Sequence, residues 1–232
     1  MPSKEIFKLE VPPRYIAIAG NIGCGKSSLT TLLAEKFGWK PYYEIVDTNP
    51  YLSDFYGDMR RWSFHLQMFF LTKRFRHAQE IAKVEGGVIQ DRTIFEDAEI
   101  FAKNLFLQGH MEERDYRSYT SHFELMTSFL KKPDLLIYLR CDVSTLQERI
   151  AKRGRDYERK IPSEYLEQLN EHYDLWIKGY RESASVTFDV SKMDFVASRK
   201  HFEQIASIVG WELERLTNSS QKPLPLKSMT LK

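Results

Sequence analysis

Short apolar runs recur along the chain, separated by longer stretches in which apolar residues return every three or four positions. Residues 15–20 (YIAIAG), 40–46 (KPYYEIV), 86–92 (GGVIQDR), 134–141 (DLLIYLRC) and 185–191 (SVTFDVS) are each β-compatible. Their near-continuous apolar character suits parallel strands covered on both faces. Between them, residues 62–84 carry Trp62, Leu66, Phe69, Phe70 and Phe75 at helical spacing with charge on the other side. Residues 112–131 and 163–181 read the same way, the latter opened by Ser163 with Leu166 and Leu169 following. Strands alternating with helices imply βαβ crossovers, and so a doubly wound α/β fold: a five-stranded parallel sheet with helices on both faces. With no repeat and no internal linker, a single domain is expected over 1–215. The polar segment 216–232, with Pro223 and Pro225, is expected to be a disordered tail or an arm packing on another subunit through Leu224, Leu226 and Leu231.

Composition narrows the partners. The chain has 232 residues, and 34 basic against 32 acidic residues leave a net charge of +2, too balanced for a nucleic-acid polyanion as main partner. Two cysteines, Cys24 and Cys141, make neither a disulfide framework nor a zinc spacing. Residues 1–15 lack the apolar core of a signal peptide, and no segment approaches the roughly 20 apolar residues of a membrane span. A cytoplasmic protein without membrane or nucleic-acid partners is the expectation.

Directly behind the first strand stands GNIGCGKSS: Gly20, Asn21, Ile22, Gly23, Cys24, Gly25, Lys26, Ser27 and Ser28. This matches the P-loop pattern in full. Glycines let successive backbone N–H groups turn inward at phosphate oxygens, and the following helix adds its positive N-terminal end. Lys26 supplies a mobile cation for the β/γ-phosphates and Ser27 a hydroxyl for Mg²⁺. A P-loop NTPase-type fold binding ATP and Mg²⁺ follows. No N-K-x-D sequence reads guanine, which weighs against a GTPase switch.

Three further stretches describe an acceptor. Glu44 ends the second strand. Gln67 and Arg74 lie seven residues apart, two turns along one helix face. Asp91 and Arg92 end the third strand, with Asp97 six residues beyond Asp91. In an open parallel sheet, residues at the carboxyl ends of strands surround the ligand crevice, so Glu44, Asp91 and Arg92 should converge where a cradled γ-phosphate points. After the fourth strand come Arg149, Arg153 and Arg155, then Glu158. An arginine-rich lid of this kind neutralises charge on a transferring phosphoryl group and excludes water.

P-loop, strand-end Glu, W-S-F-x-x-Q helix, D-R-[ST] with a following Asp, and R-G-R lid occur here in that order. The chain resembles the deoxyribonucleoside kinases of the deoxycytidine, deoxyguanosine and deoxyadenosine kinase group, over about residues 15 to 210. The DTNPYL segment and the short chain resemble microbial deoxyadenosine kinases in particular. The resemblance implies that Glu44 is the general base for the nucleoside 5′-hydroxyl, with Arg92 beside it. It implies that Gln67 and Asp97 read the base edge, with Arg74 holding Asp97. Tyr56 and Glu158 would grip the sugar 3′-hydroxyl, Phe101 would stack on the base, and Trp62 would help wall the pocket. Asp91 stands where the family usually has Glu near Mg²⁺, so a water-mediated contact is expected. Thr93 replaces the commoner Ser, and Ala98 stands where an Arg is common.

The implied reaction moves the γ-phosphoryl of ATP to the 5′-hydroxyl of a deoxynucleoside, deoxyadenosine first, with deoxyguanosine, deoxycytidine or thymidine as alternatives. A nucleoside-monophosphate kinase such as a thymidylate kinase is a rival reading, disfavoured by carboxylates where an incoming phosphate would sit. A nucleotide-binding regulatory module is another. A homodimer built by helix packing, with MTSFL at 126–130 as a permissive face, is implied, and the terminal segments could extend it to a tetramer.

Overall fold

The computed structural model describes residues 14–44 and 49–218, together with the backbone of 230–231. Five strands form where the apolar runs place them: β1 (Tyr15–Gly20), β2 (Lys40–Tyr42), β3 (Val88–Asp91), β4 (Leu135–Arg140) and β5 (Ala184–Asp189). All pair in parallel, in the order β2-β3-β1-β4-β5. The second strand is shorter than its sequence run: it stops at Tyr42, opposite Gln90, close to where its single neighbour β3 ends. A two-residue strand, β6 (Thr230–Leu231), lies parallel to β5 at the other edge. These two tail residues thus extend the sheet of their own chain. The remainder of the expected tail beyond Asn218, and the N-terminal segment 1–13, lie outside the described residues.

The core follows from the two-residue side-chain period of a strand. Ile16 and Ile18 of β1, with Leu135, Ile137 and Leu139 of β4, point to one face. There they pack on Leu29 and Leu33 of α1 (Lys26–Phe37), and on Ile205, Val209 and Leu213 of α9 (Arg199–Asn218). The alternate residues Ala17, Ala19, Leu136 and Tyr138 point the other way. They meet α3 (Met59–Ile81), α6 (Glu113–Thr127) and α8 (Ser163–Gly179) through Leu66, Leu71, Tyr119, Leu169 and Tyr173. Small alanines on this face of β1 leave room for the tyrosines.

Helix ends obey local chemistry. Helix α3 starts earlier than the apolar periodicity suggests, because the Asp58 carboxylate accepts from the Arg61 N–H at 3.0 Å and caps it. Short helices α2 (Leu52–Gly57), α4 (Ile94–Glu96) and α5 (Lys103–Leu107) and helix α7 (Val143–Arg153) complete the set. Between α4 and α5 runs a π-helical turn, Asp97–Ala102, a form concentrated at functional sites. Helix α9 runs through Asn218, past the boundary expected at 216, since Ile205, Val209 and Leu213 recur every four residues. None of the described helices is long and apolar enough to cross a membrane.

Candidate active site

The neighbouring strands β1 and β3 end side by side, Ile18 opposite Asp91, and the Arg92 N–H continues the ladder to the Ile18 carbonyl at 3.0 Å. Here the chain opens a cleft of about 700 Å³. P-loop residues, Glu44, Gln67, Arg92, Asp97 and the lid arginines all face it, so the two halves that the motifs suggest do share one cavity.

The cradle is a matter of backbone shape. Gly20, Gly23 and Gly25 have φ of 148°, 84° and 102°, values that a side chain rarely tolerates. A Cβ at Gly20 would stand 2.7 Å from the Leu139 carbonyl, and one at Gly25 would stand 2.8 Å from the Phe195 ring. The Asn21 side chain donates to the Leu166 carbonyl and to Asn170 on α8, pinning the loop. Lys26 is buried and donates from Nζ to the Asn21 carbonyl at 2.9 Å.

A second network holds the ends of β1 and β3 together. Thr93 and Glu96 form a reciprocal capping box at the start of α4. The fully buried Glu96 also accepts from the Gly20 N–H at 3.3 Å and from the Tyr173 hydroxyl at 2.8 Å. Arg92 donates to the Tyr173 hydroxyl at 2.9 Å and stacks over Phe101, 4.4 Å from the ring centroid. Its own φ is 64°, the one non-glycine left-handed backbone among the described residues. Such a conformation costs ~1–3 kcal/mol and persists where the surroundings enforce it.

Beside Glu44 and Asp97, Arg74 is 4% exposed and uses its three nitrogens on three partners. Nε donates to Asp97 at 2.5 Å, Nη2 to Glu44 at 2.7 Å and Nη1 to the Arg92 carbonyl at 3.2 Å. Glu44 also lies 3.2 Å from Nε of Arg92. Burial pushes the Glu44 carboxyl up, but Arg92, Arg74 and Lys26 together outweigh it and hold the group at about 2. It is therefore ionised at neutral pH, as an acceptor of a hydroxyl proton must be. Asp97 goes the other way: burial pushes it up to about 7 against the pull of Arg74 and Arg92. Gln67 is buried and faces the same cavity, and its Oε1 has no hydrogen-bond partner among the described residues.

The remaining candidates divide. Tyr56 and Phe101 line the cavity, and Tyr56 stacks parallel to Tyr157 at 6.4 Å. Glu158 is 5% exposed and takes ion pairs from Arg153 at 2.7 Å and Arg155 at 3.4 Å. Arg149 also lines the cavity, but its guanidinium is fastened to backbone: it donates to the Cys24, Val190 and Met193 carbonyls, tying the P-loop to the segment after β5. Trp62 does not wall the cavity. It sits one turn before Leu66 and is covered by Tyr51, with ring centroids 5.8 Å apart. Ser27 donates to Oδ2 of Asp91, whose buried Oδ1 is without a partner. A hydroxyl beside a carboxylate with one free oxygen is a donor set that fits a hard divalent cation.

Sequence reasoning passed over Glu96, Tyr173, the contact of Arg74 with Glu44, and the 193–197 segment that lines the cleft through Phe195. The T-x-x-E spacing of Thr93 and Glu96 was a readable signal for the first. Nothing in the local sequence marks Tyr173 or Phe195.

Comparison with known proteins agrees with this geometry. A family model described as deoxynucleoside kinase matches residues 16–213. The chain is 42% identical over 200 residues to the deoxyadenosine/deoxycytidine kinase of Bacillus subtilis (strain 168), covering 84% of this chain and 92% of that one. It is 37% identical over 199 residues to the deoxyguanosine kinase of the same organism, covering 84% and 95%. Among solved structures, deoxyadenosine kinase from M. mycoides with bound dATP superposes with a TM-score of 0.75 at 31% identity, over 84% of this chain and 98% of that chain.

Proposed function

This chain belongs to the deoxynucleoside kinase family and is a deoxynucleoside kinase; from that premise we propose that its preferred acceptor is deoxyadenosine, phosphorylated at the 5′-hydroxyl by ATP. The observation that carries the base preference is the buried, unpartnered Oε1 of Gln67 in the cavity that Asp97 also faces. An amide offers an acceptor and a donor side by side, which matches an exocyclic amino group next to a ring nitrogen. Adenine presents that pair, and so does cytosine, which makes deoxycytidine the second substrate. The names of the Bacillus subtilis relative and of the M. mycoides structure accord with this order.

In the proposed reaction the P-loop amides and Lys26 hold the β- and γ-phosphates. Glu44 accepts the 5′-hydroxyl proton as oxygen attacks phosphorus. Arg92 keeps that carboxylate ionised and facing the cleft. Arg153 and Arg155, drawn together by Glu158, stand where they would offset charge spreading over the transferring group. Ser27 and Asp91 would hold Mg²⁺, directly or through water, and the ion would neutralise phosphate charge. Tyr56 and Glu158 would bind the sugar hydroxyl and Phe101 the face of the base. Steady-state kinetics with ATP, Mg²⁺ and each of four deoxynucleosides tests the preference. The highest kcat/KM should belong to deoxyadenosine, and a lead for any of the other three would overturn the assignment.

A homodimer is also part of this reading. Leu125 and Phe129, at the end of α6 and just past it, are 68% and 84% exposed and would be covered in such a dimer. Light scattering should give twice the chain mass, and a monomer would refute it. The two free thiols, Cys24 and Cys141, suit the reducing cytoplasm.

A further inference from the structure

The fork of Arg74 joins two subsites that have separate tasks. One arm ends on Asp97, where the base is read, and another on Glu44, where the proton is taken. The third arm holds the Arg92 carbonyl, at the residue whose left-handed backbone aims its own guanidinium at Glu44. The guanidinium lies 5.7 Å from the Phe70 ring centroid, and with almost no exposure it has little freedom to turn about one partner without dragging the others.

We propose that Arg74 is a positioning residue that makes the aim of Glu44 depend on how the base seats against Asp97. A base that fits Gln67 and Asp97 leaves the fork undistorted and the carboxylate aligned with the 5′-hydroxyl. A base that displaces Asp97 shifts the same rigid guanidinium and misaligns Glu44. Discrimination between bases then falls in kcat as well as in KM, because misplacement by about 1 Å can cost about a hundredfold in rate. This rests on the reading of Glu44 as the base and of Asp97 as a base reader.

Arg74→Lys separates the roles, since an ammonium keeps the charge beside one carboxylate and cannot span both. With whichever deoxynucleoside the wild type phosphorylates best, kcat at saturation should fall at least about fivefold, with KM changing less than the rate. Asp97→Asn, which keeps the shape and weakens the same fork, should lower kcat too and narrow the kcat difference between deoxyadenosine and thymidine. In a Glu44→Gln background, Arg74→Lys should cost less than about twofold more, as coupled residues do. Losses confined to KM, or full additivity with Glu44→Gln, would overturn the proposal. If Arg74→Lys fails to fold by circular dichroism, Asp97→Asn alone and combined with Glu44→Gln decides by the same criteria. The wild-type substrate ranking judges the deoxyadenosine preference separately, and the Glu44→Gln rate judges the base, so those readings can fail without being mistaken for failure here.

Discussion

The two halves of the cleft are built from different materials. The half proposed for the donor is chiefly backbone: three left-handed glycines, a pinned asparagine and one lysine, all within nine consecutive residues. The half proposed for the acceptor is chiefly side chains, with Glu44, Gln67, Arg74, Arg92 and Asp97 arriving from the ends of β2 and β3, from α3 and from the π-helical turn. A phosphate presents the same oxygens whatever nucleotide carries it, so an arc of N–H groups suffices. A nucleoside must be told from its relatives, and that needs groups with distinct donors, acceptors and charge.

If this division of labour holds, substitutions in the two halves should have separable kinetic signatures. Glu44→Gln should lower kcat by about 10²–10⁴-fold while the dissociation constant for deoxynucleoside stays within a few fold; near-normal turnover would remove the base assignment. Gly25→Ala forces a side chain onto φ of 102° and into the Phe195 ring. Its kcat/KM for ATP should drop by about tenfold or more, with nucleoside KM little moved, and a second change, Phe195→Ala, should recover only part because the backbone strain remains.

Within the lid the same contrast recurs on a smaller scale. Arg149 donates only to backbone carbonyls and one thiol among its hydrogen bonds, whereas Arg153 and Arg155 meet Glu158 at the cavity wall. Arg149→Ala should therefore lower stability by about 2 kcal/mol in thermal or urea unfolding, the order expected for lost charge-assisted hydrogen bonds. Arg153→Lys, which keeps a cation beside the buried Glu158, should leave the unfolding midpoint nearly unchanged and lower kcat. A result with the two effects exchanged would reassign the arginines.

Acid stability gives the gentlest signal. Because the folded state holds Glu44 at about 2, below its ordinary value of 4.5, its contribution is present above about pH 4.5 and fades as pH falls toward 2. Melting curves of wild type and Glu44→Gln should differ at pH 6, move closer by about pH 3 and coincide only below about pH 2. A gap that is constant across this range would show that the ion pairs with Arg74 and Arg92 do not stabilise the fold.

Legibility in the sequence follows the same division. Backbone turns are written locally, so the glycines of GNIGCGKSS mark a loop that does line the cleft, and the apolar runs located β1, β3, β4 and β5. Side-chain sites are legible only where a strand end or a helix period fixes direction: Glu44, Arg92, Gln67 and Asp97 do face the cleft. Trp62 was misplaced because periodicity gives the face of a helix and not what covers each turn, and Tyr51 comes from a different segment. The triple use of Arg74 was hidden because residues 44 and 97 become neighbours only when β2, β3 and the π turn assemble. Helix α9 is masked in the sequence by its polar start, although its Ile205, Val209 and Leu213 carry the helical period.

The main-chain twist at Arg92 carries a lesson about what this position is for. Glycine would accept that geometry freely, whereas arginine there carries the penalty of ~1–3 kcal/mol. Keeping arginine means the fold tolerates a permanent local weakness for the sake of one cation's direction. Shortening the residue to Ala should discard the cation and retain the penalty, while Arg92→Gly discards both; the glycine protein should melt at the higher temperature of the two, with both equally unable to turn over substrate.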